Sequence, residues 1–177
     1  MPTKISTTPV YLFRVDITNS IGYGHFTRSL ALAKSLLRKS NCKVILMLKI
    51  DETANKSYLK SKMKDSLVNS CFLDWSIPLE YELLLITKIQ PSSIFFDLSH
   101  SINIQNRLKY ISYINSFKDI GSKRVLIDGL GHESLDSESL NEIDVVIQPY
   151  IFIPKDTPVH PKLWLGGKNN LIIDEKF

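Results

Sequence analysis

The sequence predicts an α/β fold, a Rossmann-like three-layer domain with a mainly parallel sheet. Three observations point there. Short, continuously apolar runs rich in β-branched and aromatic residues recur along the chain, as in strands buried on both faces. Stretches with apolar residues at helical spacing separate them. A glycine-containing loop joins the first apolar run to the first helical stretch, where doubly wound sheets hold their ligands.

The elements follow in order. Val10-Tyr11-Leu12-Phe13-Arg14-Val15 reads as the first strand. Phe26, Leu30, Ala33 and Leu37 then mark one face of a helix, and Lys34, Arg38 and Lys39 fall towards its C-terminal end, where cations suit the helix dipole. Val44-Ile45-Leu46-Met47-Leu48 is the second strand, Ala54 to Val68 a weaker helical stretch, and Ser70 to Leu73 a weak further strand. Leu79, Leu83 and Ile86 repeat the helical pattern behind Pro78, a suitable first-turn residue. Ile94-Phe95-Phe96, Val125-Leu126-Ile127 and Val145-Val146-Ile147 are the later strands, with a helix face at Ile104, Leu108, Ile111 and Asn115 between the first two. Strands alternating with helices imply βαβ units.

Residues 1–150 form the Rossmann-like α/β domain on this reading, and 151–177 a Pro/Gly-rich connecting segment. Pro149, Pro154, Pro158 and Pro161 exclude a regular helix or central strand there. Gly166-Gly167 followed by Leu171-Ile172-Ile173 reads as the start of a further unit.

Composition narrows the function. The chain has 177 residues, 44% hydrophobic and 23% charged, enough for one globular domain with a real core. Its net charge of +4 is spread over scattered lysines, with one modest cluster from Lys56 to Lys64. No block of like charge reads as a nucleic-acid tail, whereas an anionic small substrate suits the balance. No apolar run approaches the ~18 residues of a membrane span, and Met1 to Thr8 lack the apolar core of a signal peptide. A cytoplasmic protein is therefore expected. Cys42 and Cys71 have no CxxC spacing and read as buried thiols. No HExxH or comparable spacing marks a metal site, so neither metal nor cofactor is expected.

The loop after the first strand carries the chemistry. It runs Arg14-Val15-Asp16, then Ile21-Gly22-Tyr23-Gly24-His25-Phe26-Thr27-Arg28. Gly22 and Gly24 permit unusual backbone angles and close ligand approach. His25 falls at the N-terminus of the following helix, whose dipole disfavours imidazolium. A neutral imidazole there can take a proton from water. Arg28, one turn on, is placed to pair with Asp16 or with a substrate anion. The dinucleotide fingerprint needs a third glycine where Thr27 stands, and an acid at the end of the second strand, where Lys49 and Ile50 precede Asp51. A nicotinamide or flavin role is therefore disfavoured.

The run Arg14-x-Asp16, Gly22-x-Gly24-His25-x-x-Arg28 and Leu32-Ala33 resembles the opening of the UDP-2,4-diacetamido-2,4,6-trideoxy-β-L-altropyranose hydrolases of pseudaminic acid biosynthesis, and of related spore-coat polysaccharide proteins. Downstream, Ile94-Phe95-Phe96-Asp97, Val125-Leu126-Ile127-Asp128, Ile143 to Tyr150 and Leu165-Gly166-Gly167-Lys168 are similar to later strands of that family and to its entry into a second domain. The family's pattern differs after Asp97, where Leu98, Ser99 and His100 replace Asp-x-Tyr, and at Asp128-Gly129, where aspartates are often paired.

The resemblance implies a domain equivalent to the N-terminal half of a GT-B fold. It implies metal-independent hydrolysis of a UDP-linked amino sugar in surface-glycan biosynthesis, with inversion at the anomeric carbon and His25 as the base that activates water. Arg14, Asp16, Gly22, Tyr23, Gly24 and Arg28 become binding and scaffold positions, and Asp97 and Asp128 are expected to face the same crevice as His25. It also implies a second domain supplying most UDP contacts, so a partner chain or a second copy of this chain is expected to complete the cleft. Two alternatives stand beside it: a non-catalytic half-domain that binds or interacts through a partner, and half of a GT-B glycosyltransferase, which needs an acceptor.

The remaining polar residues have plainer readings. Asp97 and Asp128 otherwise cap helices or turns. His100 reads as a polar lip or a surface residue, Gly129-Leu130-Gly131-His132 and His160 as loops, and Trp75 and Trp164 as packing anchors.

Overall fold

A computed structural model of the protein describes residues 8–18, 23–98, 111–127, 143–148 and the backbone of 164–165. Its strands are β1 (Val10–Ile17), β2 (Lys43–Ile50), β3 (Asn69–Asp74), β4 (Ser93–Asp97), β5 (Lys123–Ile127), β6 (Val145–Ile147) and β7 (Trp164–Leu165). The helices are α1 (Gly24–Lys39), α2 (Lys56–Met63) and α3 (Leu79–Ile89), with helical residues 111–115 and a 3-10 turn at Lys118–Ile120. The sheet order is β3-β2-β1-β4-β5-β6-β7, and all neighbours run parallel. The fold is thus the α/β, Rossmann-like, parallel-sheet architecture that the apolar runs predict.

Strands β1 to β5 outlast their apolar runs by one to three residues, because backbone pairing continues past the side chains that start it, while β6 coincides with its run. The stretch from Ser70 to Leu73 is a full strand from Asn69 to Asp74, and its polar ends are those of an edge strand with one neighbour. Trp164 and Leu165, inside the proline-rich segment, pair in parallel with β6 at the other edge. Pro78 sits one position earlier than expected, at the N-cap of α3, and Gln90 ends that helix in a left-handed conformation (φ 51°) with Pro91 behind it. Trp75 is 42% exposed rather than a packing anchor, since it lies in the turn after edge strand β3. Cys42 and Cys71 are free and half-buried, and burial pushes the Cys71 thiol up.

Residue alternation along β1 divides the molecule. Phe13, Val15 and Ile17 join Phe26, Leu30 and Ala33 of α1 and Leu59 and Met63 of α2 in one core. Leu12 packs on the other face with Ile86 of α3, Phe96, Ile114 and Phe117. The rings of Phe13 and Phe95, register partners on β1 and β4, stack with centroids 4.4 Å apart. That contact ties the two strands on which the chain reverses direction across the sheet.

The second face also holds a buried cluster of charge. Glu82 of α3 has no exposure and lies within the apolar stripe between Leu79 and Ile86. It accepts from Arg14 Nε at 2.8 Å, from the Tyr113 hydroxyl at 2.6 Å and from the Lys49 ammonium. Arg14 also donates to Asp16 at 2.7 Å and lies over the Tyr113 ring. Burial alone would raise the Glu82 carboxyl, but Arg14, Lys49 and Tyr113 outweigh it and hold it below the usual carboxylate range. Tyr113 is pushed up, first by its own burial. Truncation of one member of such a cluster strands the opposite charges in a dry environment. Glu82→Ala is therefore expected to lower the unfolding free energy by about 3–5 kcal/mol in urea titration.

Candidate functional site

In this strand order the direction of winding switches between β1 and β4, and the crevice beyond their carboxyl ends is where open α/β sheets take ligands. Val15 and Asp97 are register partners there. Asp97, the last residue of β4, points to the α1 face and is completely buried. An ionised carboxylate in that position needs donors from the protein.

Those donors come from the first turns of α1. The His25 ring lies with Nδ1 2.6 Å from Asp97 Oδ1. Arg28 donates from Nε to Oδ2 at 2.8 Å and from its second nitrogen to Oδ1, a two-pronged grip. Ser29 Oγ, also fully buried, donates to Oδ2 at 2.8 Å. Burial pushes the Asp97 carboxyl up, but the hydrogen bonds from Arg28 and His25 and the charge on Arg28 prevail, and it sits below its ordinary value.

The ionised state of Asp97 places a proton on His25 Nδ1. A carboxylate only accepts, so the proton in the 2.6 Å contact belongs to His25 Nδ1. Nδ1 then has no lone pair for Arg28, whose nitrogen stands 3.0 Å away. That approach is two donors converging on one carboxylate oxygen. Nε2 makes no hydrogen bond among the described residues, on a side chain 19% exposed, and carries the free lone pair whenever the ring is neutral. The arrangement is an imidazole oriented by a buried acid.

The expected site residues divide by face. His25, Arg28 and Asp97, 72 residues downstream of His25, come together. The partner of Arg28 here is Asp97 rather than the expected Asp16. Arg14 and Asp16 lie on the opposite face of β1, because side chains alternate along a strand. Arg14, only 2% exposed, is engaged by Glu82 and Asp16, the placement of a scaffold residue. Gly24 opens α1 with no left-handed backbone angle, and a Cβ built on it meets nothing within 4 Å. The angle argument for glycine therefore does not hold at Gly24, where the backbone would accept a larger residue. Tyr23 precedes α1 and donates no side-chain cap. Gly22, Asp128, His100, Gly129 to His132, His160 and the first part of the 104–115 helix lie outside the described residues.

Sequence reasoning missed Ser29, Glu82, Lys49 and Tyr113. Ser29 had a signal, since it stands four residues after His25 on the same helix face. Glu82 had one as well, an acid in the middle of an apolar stripe. Lys49 occupies the strand end where a dinucleotide site would want an acid, and its ammonium is bound to Glu82 and the Ile77 carbonyl. Among the described residues no cluster of His, Cys, Asp or Glu is placed to hold a metal, and no helix is long and apolar enough to cross a membrane.

The strand order and the crevice define a Rossmann-like α/β domain with a histidine–aspartate pair at its switch point. No family model and no curated protein matches the chain. Among solved structures it is similar to Phytolacca americana UGT2 complexed with UDP-2fluoro-glucose and pterostilbene, at 14% identity and a TM-score of 0.49, over 68% of this chain. The match spans 30% of that protein's length.

Two measurements check the site. A carboxyl held below its ordinary value stabilises the fold above the unfolded value, near 4, and that contribution is lost as pH falls through the folded value. Asp97→Asn is expected to flatten the acid limb of unfolding free energy against pH. Gly24→Ala is expected to leave Tm unchanged or raised, since a helical Ala is favoured over Gly by up to about 1 kcal/mol.

Proposed function

We propose that this chain is a nucleotide-sugar hydrolase-like domain of surface-glycan biosynthesis of the nonulosonic acid type, releasing UDP from a UDP-linked amino sugar. The observation that carries this reading is the bond from His25 Nδ1 to the buried Asp97, which leaves Nε2 as an acceptor at the carboxyl edge of the sheet. A water on Nε2 loses its proton to the imidazole as its oxygen attacks the anomeric carbon. The bond from that carbon to the UDP oxygen breaks, and UDP leaves with the electron pair. Asp97 stabilises the imidazolium that forms, and general-base help of this kind supplies about 10²- to 10⁴-fold in rate.

The resemblance of the Gly22-x-Gly24-His25-x-x-Arg28 run to the altropyranose hydrolases supports the substrate class. A net charge of +4 suits a diphosphate. On this reading residues 1–150 are the first of two Rossmann-like domains and 151–177 lead to the second. The facing wall belongs to that domain, to a partner chain or to a second copy of this one, and the protein works in the cytoplasm without metal or cofactor.

The same geometry favours one other reading. A base that deprotonates water also deprotonates an acceptor hydroxyl, so the chain as half of a GT-B glycosyltransferase shares the His25–Asp97 pair. Product analysis with UDP-2,4-diacetamido-2,4,6-trideoxy-β-L-altropyranose, with and without acceptor sugars, separates the two. Free sugar formed without acceptor marks the hydrolase. His25→Ala is expected to lower kcat by about 10²- to 10⁴-fold, and unchanged hydrolysis would remove His25 as the base.

A further inference from the structure

We infer that Tyr23 is a positioning residue for His25, holding the first turn of α1 through a bond to the backbone of Asn55, and is not a substrate contact. The inference rests on His25 being the base and goes beyond it in naming what fixes that base from the side opposite Asp97.

The first turn of α1 carries His25 but has no side-chain cap. Helix N-termini leave backbone N–H groups without partners, and a capping side chain usually holds them. Here the Tyr23 carbonyl accepts from both the N–H and the hydroxyl of Thr27 at 2.9 Å each. Those bonds make Tyr23 part of the turn but do not anchor it to the body of the protein. Its side chain does so. The phenol oxygen accepts from the Asn55 N–H at 3.1 Å. Its ring meets the Tyr58 ring edge to face, with centroids 4.9 Å apart.

Asn55 is itself held. Its side chain caps α2 by accepting from the Tyr58 N–H at 2.9 Å. It stands in the connection that leaves the carboxyl end of β2, next to β1 in the sheet. The turn bearing His25 is therefore gripped at two points, by Asp97 at the end of β4 and by Asn55 beyond the end of β2. Asp97 is buried at the end of β4 and fixed by its own strand pairing with β1, so the acid cannot follow a drifting histidine. A base displaced by a fraction of an ångström from its acid and its water loses rate steeply. With its hydroxyl on Asn55 and its ring on Tyr58, Tyr23 has the surroundings of a strut.

Tyr23→Phe in the full chain tests this. It keeps the ring on Tyr58 and the carbonyl bonds to Thr27, and removes only the oxygen that accepts from Asn55. The kcat for UDP-2,4-diacetamido-2,4,6-trideoxy-β-L-altropyranose is expected to fall roughly fivefold to tenfold, the size of one net hydrogen bond, with KM within about twofold. The His25 Nδ1 proton resonance should broaden by exchange with water, and exchange of the Asn55 amide should quicken. An unchanged Nδ1 resonance overturns the inference. So does a rise in KM at constant kcat, which would make Tyr23 a substrate contact. The resonance is read without turnover: if the wild-type chain does not hydrolyse this sugar nucleotide, broadening in Tyr23→Phe still supports the strut while the hydrolase reading fails.

Discussion

A carboxylate sealed from water at the end of β4 organises the functional edge of this protein. Asp97 is ionised with no access to solvent, and such a charge is tolerated only where hydrogen-bond donors replace its hydration. The donors are His25, Arg28 and Ser29, all within the first six residues of α1. The helix must therefore lie over the β1–β4 boundary with its N-terminus at the crevice. The same requirement engages Arg28 on the acid and places a proton on His25 Nδ1. One electrostatic demand thus decides the helix position, the role of an arginine and the nitrogen of His25 that carries a proton.

The opposite face of the sheet repeats the theme with a different outcome. Glu82 is as deeply buried as Asp97 and accepts from three side chains. Its partners are themselves consumed: Arg14 is shared with Asp16, and Lys49 is shared with the Ile77 carbonyl. The cluster joins β1, β2, α3 and the helical residues around Tyr113 and holds the end of β1 from behind. The Asp97 cluster instead ends on a half-open imidazole. Both clusters bury charge, and only the Asp97 cluster reaches a partly exposed imidazole at the crevice.

Much of this was legible in the sequence. Val10 to Val15, Val44 to Leu48 and Phe26 to Leu37 announce their elements through spacing alone, since burial of one face or both imposes a period on a few adjacent residues. Gly-x-Gly-His after the first strand marked the passage from β1 into α1 at the carboxyl end of the sheet. The weakest apolar run, Ser70 to Leu73, gave the weakest reading, because an edge strand buries less and its sequence shows less. Grouping Arg14 and Asp16 with His25 went astray for a related reason. Nearness in sequence suggested nearness in space, while β1 alternation sent them to the other face.

The sequence by itself determined the alternation of strand and helix, the place of His25 at the start of the first helix and a strand end carrying Asp97. Those features are written in windows of two to twelve residues, the range over which backbone geometry acts. The tertiary structure alone decided that Asp97 is the partner of His25, that Glu82 faces inward and that Tyr23 reaches Asn55. These partners lie 72, 68 and 32 residues apart, counting Glu82 from Arg14. Which distant residues meet depends on the order in which parallel strands are laid down and on the face each crossover helix takes. No local period encodes that order, because it is set by burial of the whole sheet at once.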